Sequence, residues 1–128
     1  MKLLLDTSAL IWWFAESPEL PSTSRDLIAR DDVRVLVSAA SAWEICTKVR
    51  IGKLQGAKEL CERFPDFLRQ YQFEPLAISV EHAQLAGQLP GAHKDPFDRM
   101  LAAQAIVEDV SVVTNDKAFA SLGAKVVW

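Results

Sequence analysis

Four carboxylates fall where an α/β chain exposes its strand ends. Asp6 directly follows the apolar run Leu3-Leu4-Leu5 and precedes two hydroxyl residues, Thr7 and Ser8, whereas Asp116 lies just past the β-branched run Val110 to Thr114. Asp98 stands in the first turn of a helix opened by Asp95-Pro96, and Glu44 in the first turns of a helix that follows Arg34-Val35-Leu36-Val37-Ser38. In an open parallel sheet, strand ends and the starts of the helices after them share one edge, and ligands bind in the crevice beyond it. Four acids from four separate places therefore converge without being neighbours in sequence. Gathered carboxylates repel one another, and each disfavours ionisation of the next. A hard divalent cation with oxygen ligands resolves the repulsion: Mg²⁺ or Mn²⁺, which keeps several waters and takes phosphate oxygens as further ligands. Such an ion activates water and neutralises the charge of a phosphodiester being cut.

Each acid also has a purely local reading. Asp6 and Asp116 suit helix N-caps, and Asp95 followed by Pro96 is an N-cap with Pro at the first helical position. Asp98 then occupies the third position, where a carboxylate completes a capping box and suits the helix dipole. Ser41-x-x-Glu44 reads as a second capping box, and Glu44 with Lys48 as an i,i+4 surface pair. On a helical wheel Ala42, Ile45, Cys46 and Val49 form the apolar stripe, and Glu44 points away from it, a solvated residue by spacing alone. The coincidence of four acids at strand ends or helix starts lifts the set above these separate readings.

The elements that must position them follow in order. Lys2 to Leu5 is a short, continuously apolar strand, suited to burial on both faces. A helix from Ala9 to Ala15 carries Trp12, Trp13 and Phe14, and a second runs from Ser24 to Arg30. Arg34 to Ser38 is a strand, followed by a helix that Ser38 or Ser41 caps and Gly52 stops. Gly56 to Gln70 is mostly helical, and Pro65 must break the helix or open a second one there. Glu74 to Ser79 is an edge strand, its proline suiting an edge. Helices from Val80 to Leu89 and Asp95 to Glu108 come next, then a strand at Val110 to Thr114, a short helix from Asp116 to Leu122 and a strand at Lys125 to Val127. Strands alternate with helices throughout, with no repeat or linker. That pattern predicts a single α/β domain over residues 1–128: three α/β/α layers around a parallel sheet of four to five strands with right-handed crossovers.

Of the 128 residues, 50% are apolar and 24% charged, enough for a core and for solubility. The 17 acidic and 14 basic residues leave a formal charge of −3, so a nucleic acid would have to be held by a local basic patch. Cys46 and Cys61 lack metal-finger spacing and are expected as free thiols in a reducing cytoplasm. No stretch approaches the length needed to cross a bilayer, and the N-terminus lacks a signal-peptide pattern; a cytoplasmic protein is expected.

Four segments carry a family resemblance: Leu3 to Leu10 (LLLDTSAL), Ser38 to Ile45 (SAASAWEI), His93 to Ala105 (HKDPFDRMLAAQA) and Val112 to Phe119 (VVTNDKAF). In this order, across nearly the whole chain, they resemble the PIN-domain family, and within it the VapC-type toxins of bacterial and archaeal toxin–antitoxin pairs. The resemblance implies a Mg²⁺- or Mn²⁺-dependent endoribonuclease, a homodimer, and inhibition by a cognate antitoxin. The family's acidic positions carry over to Asp6, Glu44, Asp98 and Asp116, with Thr7 and Thr114 as supporting hydroxyls. Some relatives place a further acid where this chain has Lys117, which leaves the number of metal ions open. Of the nearby basic residues, Arg99, Lys48 and Lys117 are the candidates for meeting RNA phosphates. Trp12 and Trp13 read as core, dimer or antitoxin surface in preference to a base-stacking platform.

Three rival readings compete. A metal-free ribonuclease would use His82 and His93 as acid and base. A phosphoryl-transfer or receiver-like domain would also hold Mg²⁺ with strand-end acids, but Asp6-Thr7-Ser8 lacks the D-x-D signature of haloacid-type phosphatases. A non-catalytic protein-interaction module would use the acids only as helix caps.

Overall fold

The structure, a computed structural model, describes residues Met1–Trp128. Its strands are β1 (Lys2–Leu5), β2 (Arg34–Ser38), β3 (Glu74–Leu76), β4 (Ser111–Val113) and β5 (Val126–Val127). They form one all-parallel sheet in the order β3-β2-β1-β4-β5. The leucine run occupies the middle, and all three of its leucines are fully buried, as a strand covered on both faces requires. Leu3 and Leu5 face one core with Val35, Val37 and Val113, and Leu4 faces the other with Leu36 and Val112. Pro75, which cannot donate a ladder hydrogen bond, lies on the edge strand opposite Val37, as expected.

The first core is covered by α1 (Thr7–Phe14), α2 (Ser22–Ile28), α4 (Lys58–Glu62) and α5 (Phe64–Tyr71), through Leu10, Ile28, Leu60 and Phe64. The second is covered by α7 (Pro96–Glu108) and α8 (Ala118–Ser121), through Leu101, Ala102, Ala105 and Phe119. Helix α6 (Val80–Gln88) packs on α7. Helix α3 (Ala39–Arg50) serves both cores, Ile45 entering the first and Ala40 the second. The expected three layers are present.

Several boundaries differ from the sequence reading, each for a local reason. Helix α1 starts at Thr7, before the expected Ala9, because the Asp6 carboxylate accepts the Ala9 N–H at 2.7 Å and caps the helix. Ser38 caps α3 by accepting the Ala40 N–H, whereas Ser41 lies inside the helix and shares a 3.1 Å hydrogen bond with the Thr7 hydroxyl, so the Ser41–Glu44 capping box does not form. Pro65 sits at the second position of α5 and divides the 56–70 segment, as its missing N–H requires. The expectation of free thiols is overturned. Cys46 on α3 and Cys61 on α4 form a disulfide with a Cα–Cα distance of 5.1 Å, because packing of the two helices brings half-buried side chains 15 residues apart into register.

A buried polar network ties α6 and α7 to the end of β2. Gln104, fully buried, accepts a hydrogen bond from the Ser38 hydroxyl and donates to the Ala77 carbonyl at 3.3 Å. Next to it His82 forms a capping box with Ser79, accepting the Ser79 N–H at Nδ1. Its Nε2 is therefore the protonated nitrogen and donates to Glu108 at 3.0 Å.

Candidate active site

From β1 the chain steps to β2 and β3 on one side, then crosses to β4 and β5 on the other. The carboxyl ends of β1 and β4 therefore flank the point where the connections part, the usual place for a ligand crevice. Asp6 stands there, its N–H bonded to the Val113 carbonyl at 3.1 Å, and Asp116 stands three residues past Val113. A polar cavity of about 340 Å³ opens at this point. Asp6, Thr7 and Ser8 enter it from the start of α1, Glu44 and Lys48 from α3, Asp95 and Asp98 from the start of α7, and Asn115 and Asp116 from the loop after β4. All four acids proposed from sequence are brought together.

The local readings are partly true as well. Asp95 caps α7, its Oδ1 accepting the N–H groups of Phe97 and Asp98 at 2.9 and 3.2 Å, yet it also lines the cavity. Asp98 does not bond back to the cap; its Oδ2 lies 3.0 Å from His93 Nε2. Asp116 accepts the Ala118 N–H at 2.9 Å, and its own N–H donates to Thr114 Oγ1 at 3.0 Å. Glu44 departs most from its expected setting. It is 5% exposed, its Oε2 holds the Lys48 ammonium, and its Oε1 is buried with no hydrogen-bond partner. A helical wheel ranks Glu44 by its own helix alone, whereas α1 and α7 pack against α3 in the fold.

The electrostatics follow from this crowding. Burial pushes the Asp6 carboxyl up from 3.8 to about 6 against the opposing Thr114 hydroxyl and Ala9 N–H, and the charges of Asp98 and Asp116 add to the rise. Burial also raises Asp98 over the opposing bond from His93, with Asp95 and Glu44 adding to it. Lys48 is raised by its hydrogen bond to Glu44.

A divalent ion fits this donor set. Oxygen is the chief ligand on offer, which suits Mg²⁺ or Mn²⁺ over softer metals, and the unpartnered Glu44 Oε1 is an acceptor in want of a positive partner. No three carboxylate, histidine or thiol groups are close enough to cage a bare ion. The site therefore suits an ion that keeps most of its waters and touches few side chains, as Mg²⁺ does.

Other residues fall differently. Arg99 spends its guanidinium on three backbone carbonyls, those of Ala86, His93 and Leu89, and so pins the loop before α7 from within the fold. Lys117 is exposed beside Asp116. The histidines do not pair, since His82 is 3% exposed and bonded to Ser79 and Glu108 while His93 bonds Asp98. Trp12 and Trp13 are half-buried against the first core. The most exposed tryptophan is Trp43, 63% accessible and next in sequence to Glu44; it meets Phe97, the neighbour of Asp98, edge-to-face at 4.9 Å. Sequence reading passed over His93 as a partner of Asp98, and over Ser8 and Asn115 as cavity walls; the only signal for them was adjacency to the acidic motifs.

The PIN domain family model matches residues 3–125. Ribonuclease VapC16 of Mycobacterium tuberculosis is 46% identical over 57 residues, a stretch covering 43% of this chain and 39% of that protein. Among solved structures, VapBC2 from Rickettsia felis bound to a promoter DNA fragment superposes with a TM-score of 0.74 at 19% identity, over 99% of this chain and 98% of that one. A toxin–antitoxin complex from Klebsiella pneumoniae superposes with a TM-score of 0.68 at 20% identity, over 98% and 96%. At those identities the structures speak for the fold, and the family match speaks for descent. With its sheet order, its switch-point cavity and a match that spans nearly every residue, the chain belongs to the PIN-domain family.

Proposed function

We propose that this protein is a Mg²⁺- or Mn²⁺-dependent endoribonuclease and the toxin of a toxin–antitoxin pair. The observation that carries the reading is the cavity at the β1–β4 switch point. Five carboxylates meet there against a single cation, and one buried oxygen, Glu44 Oε1, has no partner. Asp6, Asp98 and Asp116 would hold the ion directly or through water, with Glu44 as a further ligand or as the orienter of the attacking water. Bound there, a divalent ion supplies an activated water and neutralises the charge building on the phosphodiester.

The chain's own groups do the remaining work. Asp6 is held by the Ala9 N–H and Asp116 by the Ala118 N–H, each through one oxygen, which fixes both carboxylates before any ligand arrives. His93 fixes Asp98 in the same way. The Thr7–Ser41 hydrogen bond locks the start of α1 against α3 and so sets the spacing between Asp6 and Glu44. Glu44 Oε1 is free to accept a hydrogen from the attacking water and aim it at phosphorus. Lys48 and Lys117, on the rim, are the cations available to phosphate oxygens; Arg99 is engaged elsewhere.

Because water attacks in place of the ribose 2′-hydroxyl, cleavage leaves a 5′-phosphate and a 3′-hydroxyl. End-group analysis of cut RNA tests this, and a 2′,3′-cyclic phosphate would overturn the mechanism. EDTA should stop cleavage; cutting that survived it would return the histidine reading. Mn²⁺ at a hundredfold excess over its dissociation constant should raise the thermal midpoint by roughly 8 °C, since that excess stabilises by about 2.7 kcal/mol. A flat midpoint across the Mn²⁺ titration would count against a resident ion. On the same reading the protein works as a cytoplasmic homodimer whose activity a cognate antitoxin restrains. Co-purification with the product of an adjacent reading frame, and loss of cleavage in that complex, is the test.

A further inference from the structure

Lys48 is the one cation in a cavity with five carboxylates, and its placement is specific. It lies one helical turn after Glu44 on α3, so that its ammonium and the Glu44 carboxylate share a face. The pair is asymmetric: the Glu44 side chain is 6% exposed, whereas that of Lys48 is 41% exposed. Only one Glu44 oxygen is engaged, and the other stays buried and unpartnered. A buried carboxylate half-satisfied by a half-exposed ammonium is a poor resting place for the acid and a loose one for the base. The lysine stem can swing its charge into water at little cost, whereas Glu44 cannot leave.

We propose that Lys48 is a tethered counter-ion, occupying the Glu44 carboxylate when the divalent metal is absent and surrendering it when the metal binds. The inference rests on the metal-dependent reading of the cavity and adds a competition to it. Glu44 must exchange an ammonium for the ion before the site is complete. Lys48 thereby keeps the empty cavity from its full repulsion, and in doing so weakens metal binding. Half-maximal activity then requires a higher free cation concentration than in a site without the lysine. Lys48 is a positioning residue in this scheme, acting through Glu44.

The test is calorimetric titration of the full chain with Mn²⁺ alone, alongside thermal midpoints with and without it. Lys48→Gln should tighten Mn²⁺ about tenfold and lower the midpoint of the metal-free protein, while the midpoints at saturating Mn²⁺ converge. Lys48→Arg, which keeps a cationic competitor on α3, should stay near the wild-type affinity. Lys117→Gln removes an equal charge beside Asp116 without touching Glu44, and should change affinity less than twofold. Unchanged Mn²⁺ affinity in Lys48→Gln, or equal tightening by Lys117→Gln, would overturn the proposal, the second by showing only a long-range charge effect. Failure of the underlying reading looks different. In that case wild-type protein shows no saturable Mn²⁺ binding, and Asp6→Asn changes nothing.

Discussion

Replacing Asp6 with Asn is expected to lower RNA cleavage by about a thousandfold or more and, in the same protein, to raise the thermal stability of the metal-free fold. The first effect follows from removing the charge nearest the switch point, where the other carboxylates converge. The second follows from linkage. The Asp6 carboxyl is raised from 3.8 to about 6, so the folded protein binds a proton through that window more tightly than the unfolded chain does. Stability therefore falls as pH rises from about 4 to about 6, and the loss is complete above it. At roughly 1.4 kcal/mol per pKa unit the deficit approaches 3 kcal/mol at neutral pH. Asn carries no charge to repel and still accepts the Ala9 N–H, so the cap on α1 survives. In EDTA at pH 8 the variant should melt several degrees above wild type, and near pH 4 the two should converge. Wild-type cutting rates in the variant would remove Asp6 from the site. A melting difference that ignored pH would mean that its charge is not what strains the empty cavity.

Gln104→Ala should cost about 3 kcal/mol, or roughly 10 °C in thermal midpoint. Its amide is fully buried between α7 and the end of β2, taking the Ser38 hydroxyl on one side and reaching the Ala77 carbonyl on the other. Truncation leaves the buried Ser38 hydroxyl without its acceptor and opens a void where the buried amide stood. Gln104→Leu separates the two costs: it fills most of the space but pairs neither group, so it should recover only part of the loss. Urea unfolding monitored by tryptophan fluorescence reads both. Should the two variants lie within about 0.5 kcal/mol of wild type, the network is incidental. Gln104 does not line the cavity, so cleavage at a temperature where the variant is folded should be near normal.

The architecture was legible because its signals are local and periodic. Leu3-Leu4-Leu5 suits a strand buried on both faces, and it is the central strand. Pro75 marked an edge and Pro65 a helix start, since each lacks a donor that a strand interior or a helix interior needs. Asp6, Asp98 and Asp116 were legible as a set because parallel strands and their following helices open on one edge, so position along an element already implies position in space.

What only the tertiary structure decided involves contacts between elements far apart in the chain. Glu44 reads as a solvated residue on its own helix and is buried in the fold, where α1 and α7 pack against α3. The Cys46–Cys61 pairing, the Thr7–Ser41 bond and the His93–Asp98 contact have no spacing signature, since each joins side chains whose approach is set by packing. Arg99 shows the same limit from the other side: its charge was visible, but the three carbonyls that claim it were not. Residue type and periodicity determine which elements form and which edge they share, because those depend on nearest neighbours along the chain. Which charges are buried, paired or left free on that edge depends on desolvation, and desolvation is a property of the assembled layers.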